Sequence, residues 1–281
     1  MLRGLPTMRV LIGLVLISPC VAAQVHDKSP DCASPEIVLQ RYVDAIGGDA
    51  VRHIQSRAMT TRESNNFRGR TEHYVYKFKW KAPDKVSAGS TPYLFNTLPI
   101  SYPNGTFIFD GQDWSNFDRR RSRNEERDPP GQRELKHKYL YNEDPEFLEF
   151  RVLSDPLIIA RAKELYARLE VDPDSTQTTS TETSGLCILR AHGIDQWRYQ
   201  RDDLLYFDAR SGFLKTWKIQ AGLPPHKTYV QFQFRDYRPV GTIKFPFYVY
   251  FDFYDATFRY TEVVQDKPLA DSEFLEKPAR P

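Results

Sequence analysis

The sequence predicts a mainly β protein of the α+β class, built on one large antiparallel sheet with few helices. Three observations carry this. Aromatic and polar residues alternate along several long runs, tight Gly-containing turns join neighbouring runs, and only two or three segments have helical spacing. With 281 residues, 40% hydrophobic and 14% aromatic, the chain is too apolar to be disordered and long enough for one large domain.

Taken in order, Met1 to Arg9 carries Arg3 and Arg9 and no acid, Val10 to Ser18 is an apolar run, and Val21-Ala22-Ala23 are small. This is the pattern of a secretory signal peptide over 1–23, with Gln24 as the new end and Met8 as an alternative start. A rival reading lipidates Cys20, against which Pro19 is a poor fit to the processing site. The apolar run is too short to cross a bilayer as a helix, so an integral membrane protein is not expected. The segment carries two arginines and no acid, so its loss leaves 37 basic against 37 acidic residues and no electrostatic case for nucleic acid. A lead over 24–34 precedes a single domain over 35–281. Cys32 and Cys187 either pair, in a compartment that permits disulfides, or remain thiols, with Cys187 buried in its apolar run.

Ser34-Pro35-Glu36 starts a helix, with Ser as N-cap and Pro in the first helical position. Ile37, Val38, Tyr42, Val43 and Ile46 fall near one face, and Gly47-Gly48 ends it. Asp49 is placed to cap a short second helix through Val51 and Ile54. Tyr74 to Lys81 then alternates, with Tyr74, Tyr76, Phe78 and Trp80 on one face and His73, Val75, Lys77, Lys79 and Lys81 on the other. Thr106 to Phe109 and a return through Trp114 flank the Asp110-Gly111 hairpin signal. Asp118 to Arg127, followed by Asp128-Pro129-Pro130-Gly131, reads as a solvated loop. Asp155 through Leu169 has helical spacing, and Asp172 to Ser184 is a polar link. Leu204 to Phe207 and Phe213 to Ile219 flank a second hairpin turn. Tyr229 to Tyr237, Phe245 to Phe253 and Phe258 to Val264 supply further strands before a tail over 271–281. The total is nine to eleven strands under two or three helices, too few to cover a wide sheet. Such a sheet closes on itself or keeps an apolar hollow.

Chemistry is sparse in this pattern. The histidines (His26, His53, His73, His137, His192, His226) are scattered without metal-ligand spacing, and no nucleophile elbow or phosphate-cradling glycine loop is present. Asp202-Asp203 and Asp252 with Asp255 are the carboxylates to consider, but neighbours on a strand point to opposite faces. No cofactor, no metal and no enzymatic activity are expected. Arg119, Arg120, Arg121 and Arg123 are flanked by Asp118, Glu125, Glu126 and Asp128, which cancel most of their field.

The order of these features resembles bacterial exported proteins of the lipoprotein-sorting type, with the LolA/LolB-like fold. The phrases that carry the resemblance are Ile37-Val-Leu-Gln-Arg-Tyr-Val-Asp-Ala-Ile-Gly-Gly48, Tyr74 to Lys81 running into Ala82-Pro83-Asp84-Lys85-Val86, and Phe109-Asp-Gly-Gln-Asp-Trp114. They continue with Leu205-Tyr-Phe-Asp-Ala-Arg-Ser-Gly-Phe-Leu214, Phe234-Arg-Asp-Tyr-Arg-Pro-Val-Gly241 with Lys244-Phe-Pro246, and Phe258-Arg-Tyr-Thr-Glu-Val263. The resemblance implies a curved, open half-barrel of about eleven strands with helices packed on its concave side, and a periplasmic location. It further implies a non-enzymatic carrier whose hollow shields a lipid, a lipoprotein acyl chain or another hydrophobic ligand. The lining so implied is Tyr74, Tyr76, Phe78, Trp80, Phe107, Phe109, Trp217, Phe232, Phe234, Phe247, Val249 and Phe251. Two other functions stand beside it: a packed module that docks an envelope protein through its loops, and, third, a lipid-ester hydrolase with a site assembled only in space.

Overall fold

The structure is a computed structural model that describes residues 32–67, 70–83, 85–92, 106–109, 114–116, 151–173, 185–194, 200–221 and 228–274. Residues 1–23, expected as a signal peptide, the arginine-rich stretch 118–131, all but the first two residues of the expected link 172–184, and the end 275–281 lie outside the described residues.

The first helix, α1 (Pro35–Ile46), starts as the sequence dictates: Ser34 is extended and its hydroxyl accepts from the Ile37 N–H at 3.4 Å. Its buried stripe is Val38, Leu39, Tyr42, Val43 and Ile46. Ile37, expected on that stripe, is 43% exposed, because the i, i+3, i+4 spacing of the others places Leu39 inward instead. Gly47 ends the helix at φ +134° and lies so close to Ile243 and Thr242 that a Cβ would fall 2.9 Å from each. Next comes α2 (Ala50–His53), where Asp49 makes no side-chain capping bond and instead pairs with Arg52 at 3.6 Å.

Twelve strands follow in chain order: β1 (Ser56–Phe67), β2 (Arg70–Lys81), β3 (Lys85–Pro92), β4 (Thr106–Phe109), β5 (Trp114–Asn116), β6 (Arg168–Val171), β7 (Leu186–Ile194), β8 (Gln200–Asp208), β9 (Leu214–Ala221), β10 (Thr228–Val240), β11 (Ile243–Phe251) and β12 (Ala256–Gln265). They form one antiparallel sheet in the order β5-β4-β3-β2-β1-β12-β11-β10-β9-β8-β7-β6. The sheet is open, with β5 and β6 at its two edges. Only β1 with β12 joins strands distant in sequence, so the rest is a meander of hairpins.

Between β5 and β6 the expected helix over Asp155 to Leu169 is broken up. Residues 151–154 are helical, Ile158–Arg161 is a 3-10 turn, and only Ala162–Leu165 (α3) returns to an α-helix. Leu169 belongs to β6 and pairs with Ala191. Pro156 interrupts the helical backbone, and the edge of β7 captures the residues after Ala167, so the apolar spacing at Leu165 and Leu169 belongs to two different elements.

One face of the sheet is apolar across its width. At one register level Val171, Leu189, Leu205, Trp217, Phe232, Phe251 and Ala256 succeed each other across β6 to β12. Phe232 and Phe251 stack with ring centres 4.4 Å apart. This inner face is covered by α1 and by 151–165. The cover spans the sheet: Tyr260 on β12 donates its hydroxyl to the Leu153 carbonyl at 2.6 Å, while Tyr166 reaches Asp203 on β8 at 2.6 Å. Four inter-strand steps separate those strands, about 19 Å if the sheet were flat. Phe253, expected to continue the inner row of β11, instead lies in the turn after that strand and is 52% exposed.

One patch of the outer face is covered by the chain's C-terminal part. There the C-terminal strap Asp271–Phe274 lies over β2 and β3, with Lys79 paired to Glu273, Lys81 2.8 Å and Lys85 3.2 Å from Asp271, and Phe274 buried.

Candidate functional site

The inner face gathers most of the residues that the sequence put forward as lining. Phe78 and Trp80 are buried on β2, and Tyr74 and Tyr76 are half-buried toward its other end. Tyr76 stacks on Phe78 at 5.8 Å and tilts against Phe258 at 6.3 Å. Trp217, Phe232, Phe234, Val249 and Phe251 are buried side by side on β9, β10 and β11. Phe247 has the same strand parity as Val249 but is half-buried, with the Arg238 guanidinium 4.9 Å from its ring centre. Phe107 and Phe109 pair with Ala88 and Val86, in register with Phe78 and Trp80, and their side chains lie outside the described residues.

Inside this apolar face sits a charged cluster at β1. Alternation along that strand turns Arg57, Met59, Thr61 and Glu63 inward, each less than 6% exposed. Arg57, 2% exposed, lies with its guanidinium 4.7 Å over the Trp80 ring and donates from Nη1 to Asp155 Oδ1 at 2.5 Å. Arg161 donates from Nη2 to the other Asp155 oxygen at 3.3 Å and from Nη1 to the Pro83 carbonyl at 3.0 Å. Three buried polar atoms of this region have no hydrogen-bond partner: Arg57 Nε, the Tyr42 hydroxyl and Thr61 Oγ1. Burial pushes the Tyr42 and Tyr260 phenols well above their ordinary pKa; the Asp155 charge adds to this and Arg57 opposes it.

The opposite end of the inner face is closed differently. Asp203, fully buried on β8, accepts from the Tyr166 hydroxyl at 2.6 Å, from Trp217 Nε1 at 3.3 Å and from the Gln220 N–H at 3.0 Å. Cys32 and Cys187 form a disulfide, Cα to Cα 5.4 Å, that ties the start of α1 to β7. Asp202 points to the outer face, where His192 bridges it and Glu170 at 2.7 Å each, and that contact holds the Glu170 carboxyl below its usual range. Asp252 and Asp255 organise the turn after β11, the first accepting from the Gln231 N–H at 2.7 Å, the second from the Tyr250 hydroxyl at 2.9 Å and Asn66 Nδ2 at 2.9 Å.

The sequence reading left Arg57, Asp155, Arg161 and Thr61 out of the site. The pattern Arg57-x-Met59-x-Thr61-x-Glu63 was the available signal, a strand face mixing charge with apolar residues. Chemically, the inner face presents a broad apolar surface with donors at one end. Among the described residues no group of three His, Cys, Asp or Glu is placed to hold a metal ion, and no helix is long and apolar enough to cross a membrane.

Among solved structures, the chain is similar to a LolA superfamily protein from Nitrosomonas europaea, with TM-score 0.56 and 11% identity over 86% of this chain and 97% of that one. It is also similar to a domain from Vibrio parahaemolyticus named for outer-membrane lipoprotein sorting, with TM-score 0.50 and 12% identity over 84% and 94%. No family model and no curated protein matches it by sequence. The fold is LolA-like: mainly β, an open antiparallel sheet with few helices.

Proposed function

We propose that this chain is an exported, non-enzymatic binding protein of the periplasm that holds a lipid, a lipoprotein acyl chain or another hydrophobic ligand against the inner face of its sheet. One observation carries the reading: an unbroken apolar row crosses seven strands, from Val171 on β6 to Ala256 on β12, and among the described residues its cover is α1 and the segment 151–165. The Vibrio neighbour's name, with its reference to lipoprotein sorting, agrees with it. The energetics suffice, since burying acyl chain gains about 0.8 kcal/mol per CH2. The ligand takes the place of this cover, which lifts from the apolar row. The test is displacement of a fluorescent acyl probe from wild type and from Phe247→Glu, a half-buried position at which a charge leaves the fully buried row intact. Loss of retention in the folded variant is expected, and undiminished retention contradicts the assignment.

A second reading is favoured by a different observation. Phe232, Phe234, Val249 and Phe251 are fully buried, as in a packed envelope module that docks a protein partner through its loops. Absence of any bound lipid, with partner binding lost when Arg119, Arg120, Arg121 and Arg123 are neutralised, selects that reading.

A further inference from the structure

The outer face of the sheet carries cations that lean on aromatic rings rather than on carboxylates. The register of β10, β11 and β12 sets Arg235, Tyr248 and Arg259 side by side at one level, with Arg62 next on β1. Their chain neighbours Phe234, Val249 and Phe258 are fully buried on the inner face, so alternation turns this row outward. Arg235 and Arg259 are exposed, and both lie against the ring between them, their guanidinium carbons 5.7 Å and 5.3 Å from the centre of Tyr248. Arg235 also donates to Gln233 Oε1 at 2.6 Å, and among the described residues neither arginine forms an ion pair. On neighbouring strands of the same face, the Lys218 ammonium lies 5.1 Å from the centre of the Tyr206 ring.

The acids around this row are engaged elsewhere. Asp236 accepts from Arg238 at 2.9 Å and 2.5 Å, and Asp252 and Asp255 hold the turn after β11. Glu262, opposite Thr60, accepts from its hydroxyl at 3.4 Å. On the other side the adjoining level is Gln233, Tyr250, Thr257 and Ser64, which supplies amide and hydroxyl groups and no acid. The β2–β3 end of the face shows the contrast: there Lys79, Lys81 and Lys85 are matched by Glu273 and Asp271 of the strap.

We propose that this row docks the protein on a membrane surface rich in anionic phospholipid, the two guanidiniums taking headgroup phosphates beside Tyr248. A planar guanidinium donates two parallel hydrogen bonds to a phosphate, and a tyrosine, apolar in its ring and polar at its tip, suits the headgroup level. The arginines stand two strand steps apart, about 10 Å, on an open sheet face. That layout meets an array of phosphates rather than one enclosed anion. Net charge does not supply the attraction, because loss of residues 1–23 leaves 37 basic against 37 acidic residues, so a local patch must. The docking face lies opposite the apolar row and stands whatever that row holds.

The experiment is co-sedimentation of the protein from Gln24 onward with phosphatidylcholine vesicles, with and without phosphatidylglycerol. Binding to the mixed vesicles alone, weakened by added salt, is expected. An arginine near an anionic surface contributes about fivefold to partitioning. Arg235→Gln and Arg259→Gln should each lose about that factor, and the double variant about twenty-fivefold. Arg52→Gln, which removes the same charge from α2, should bind as wild type, and so should Phe247→Glu, which alters the inner face. Both arginines of the row are exposed, so their variants should keep the wild-type thermal midpoint. Equal binding to the two kinds of vesicle, binding to neither, or undiminished binding by the double variant overturns the docking face. So does loss in Phe247→Glu alone, which assigns the binding to lipid uptake by the inner face. Displacement by glycerol phosphate at matched ionic strength overturns it as well and assigns a free phosphate to the arginines.

Discussion

Two of the carboxylates buried beneath the cover, Asp203 on β8 and Asp155 against β1, are held by opposite means. At the β8 end, Asp203 is held by neutral donors, a phenol, an indole and a backbone N–H, beside a disulfide that fastens the cover to β7. Its polar atoms are matched, and the region is organised to stay shut. At the β1 end, Asp155 is shared by two guanidiniums while Arg57 Nε, Tyr42 and Thr61 keep unmatched polar atoms. A fully paired polar cluster makes a region rigid, whereas an incompletely paired one is costly unless something else completes it. The β8 end thus fastens the cover with matched polar groups, whereas the β1 end leaves polar atoms unmatched beneath it.

The sharpest way to break the contrast is Asp155→Ala. It leaves Arg57 buried without its partner, and breaking a buried pair costs about 3–5 kcal/mol; denaturant unfolding should show a loss of that size. Next is removal of the bridge by Cys32→Ala with Cys187→Ala, expected to cost about 2–4 kcal/mol by the same measurement. A matched pair of phenol deletions sharpens the comparison directly. Tyr166→Phe takes a donor from a buried carboxylate and should cost about 1.5–3 kcal/mol, while Tyr42→Phe, at an unpartnered hydroxyl, should cost nothing. Equal losses in the two variants would erase the distinction between the ends.

The smallest effect lies on the outer face, at the strap. Hydrogen bonds from Lys81 and Lys85 hold the Asp271 carboxyl below its ordinary range, and one from Lys79 does the same for Glu273. A carboxyl whose pKa is lowered on folding stabilises above its unfolded value, near 4, and that contribution fades as pH falls through the lowered one. The strap should therefore stay docked at neutral pH and loosen only below about pH 4. NMR signals of 269–274 followed on acidification check this, with Lys79→Met as the comparison.

Much of the sheet was legible because its signals are local. Tyr74, Tyr76, Phe78 and Trp80 share a face by alternation alone, and Ser34-Pro35 and Gly47 mark both ends of α1. The charged cluster was not legible, because Arg57 and Asp155 are 98 residues apart and meet only when the cover folds over β1. The disulfide was left open for the same reason, its cysteines being 155 positions apart. The breakup of the expected helix at 155–169 shows the other limit. Spacing of four between Leu165 and Leu169 fits a helix, yet it also fits a chain that leaves a short helix and enters a strand on the next turn.

The central claim, that the inner face holds a hydrophobic ligand, is tested most directly by mass spectrometry of an organic extract from the mature protein, Gln24 onward, purified from a bacterial periplasm beside the Phe247→Glu variant. The account predicts a stoichiometric lipid in the wild type that is missing from the variant. A blank extract from folded wild-type protein would contradict it.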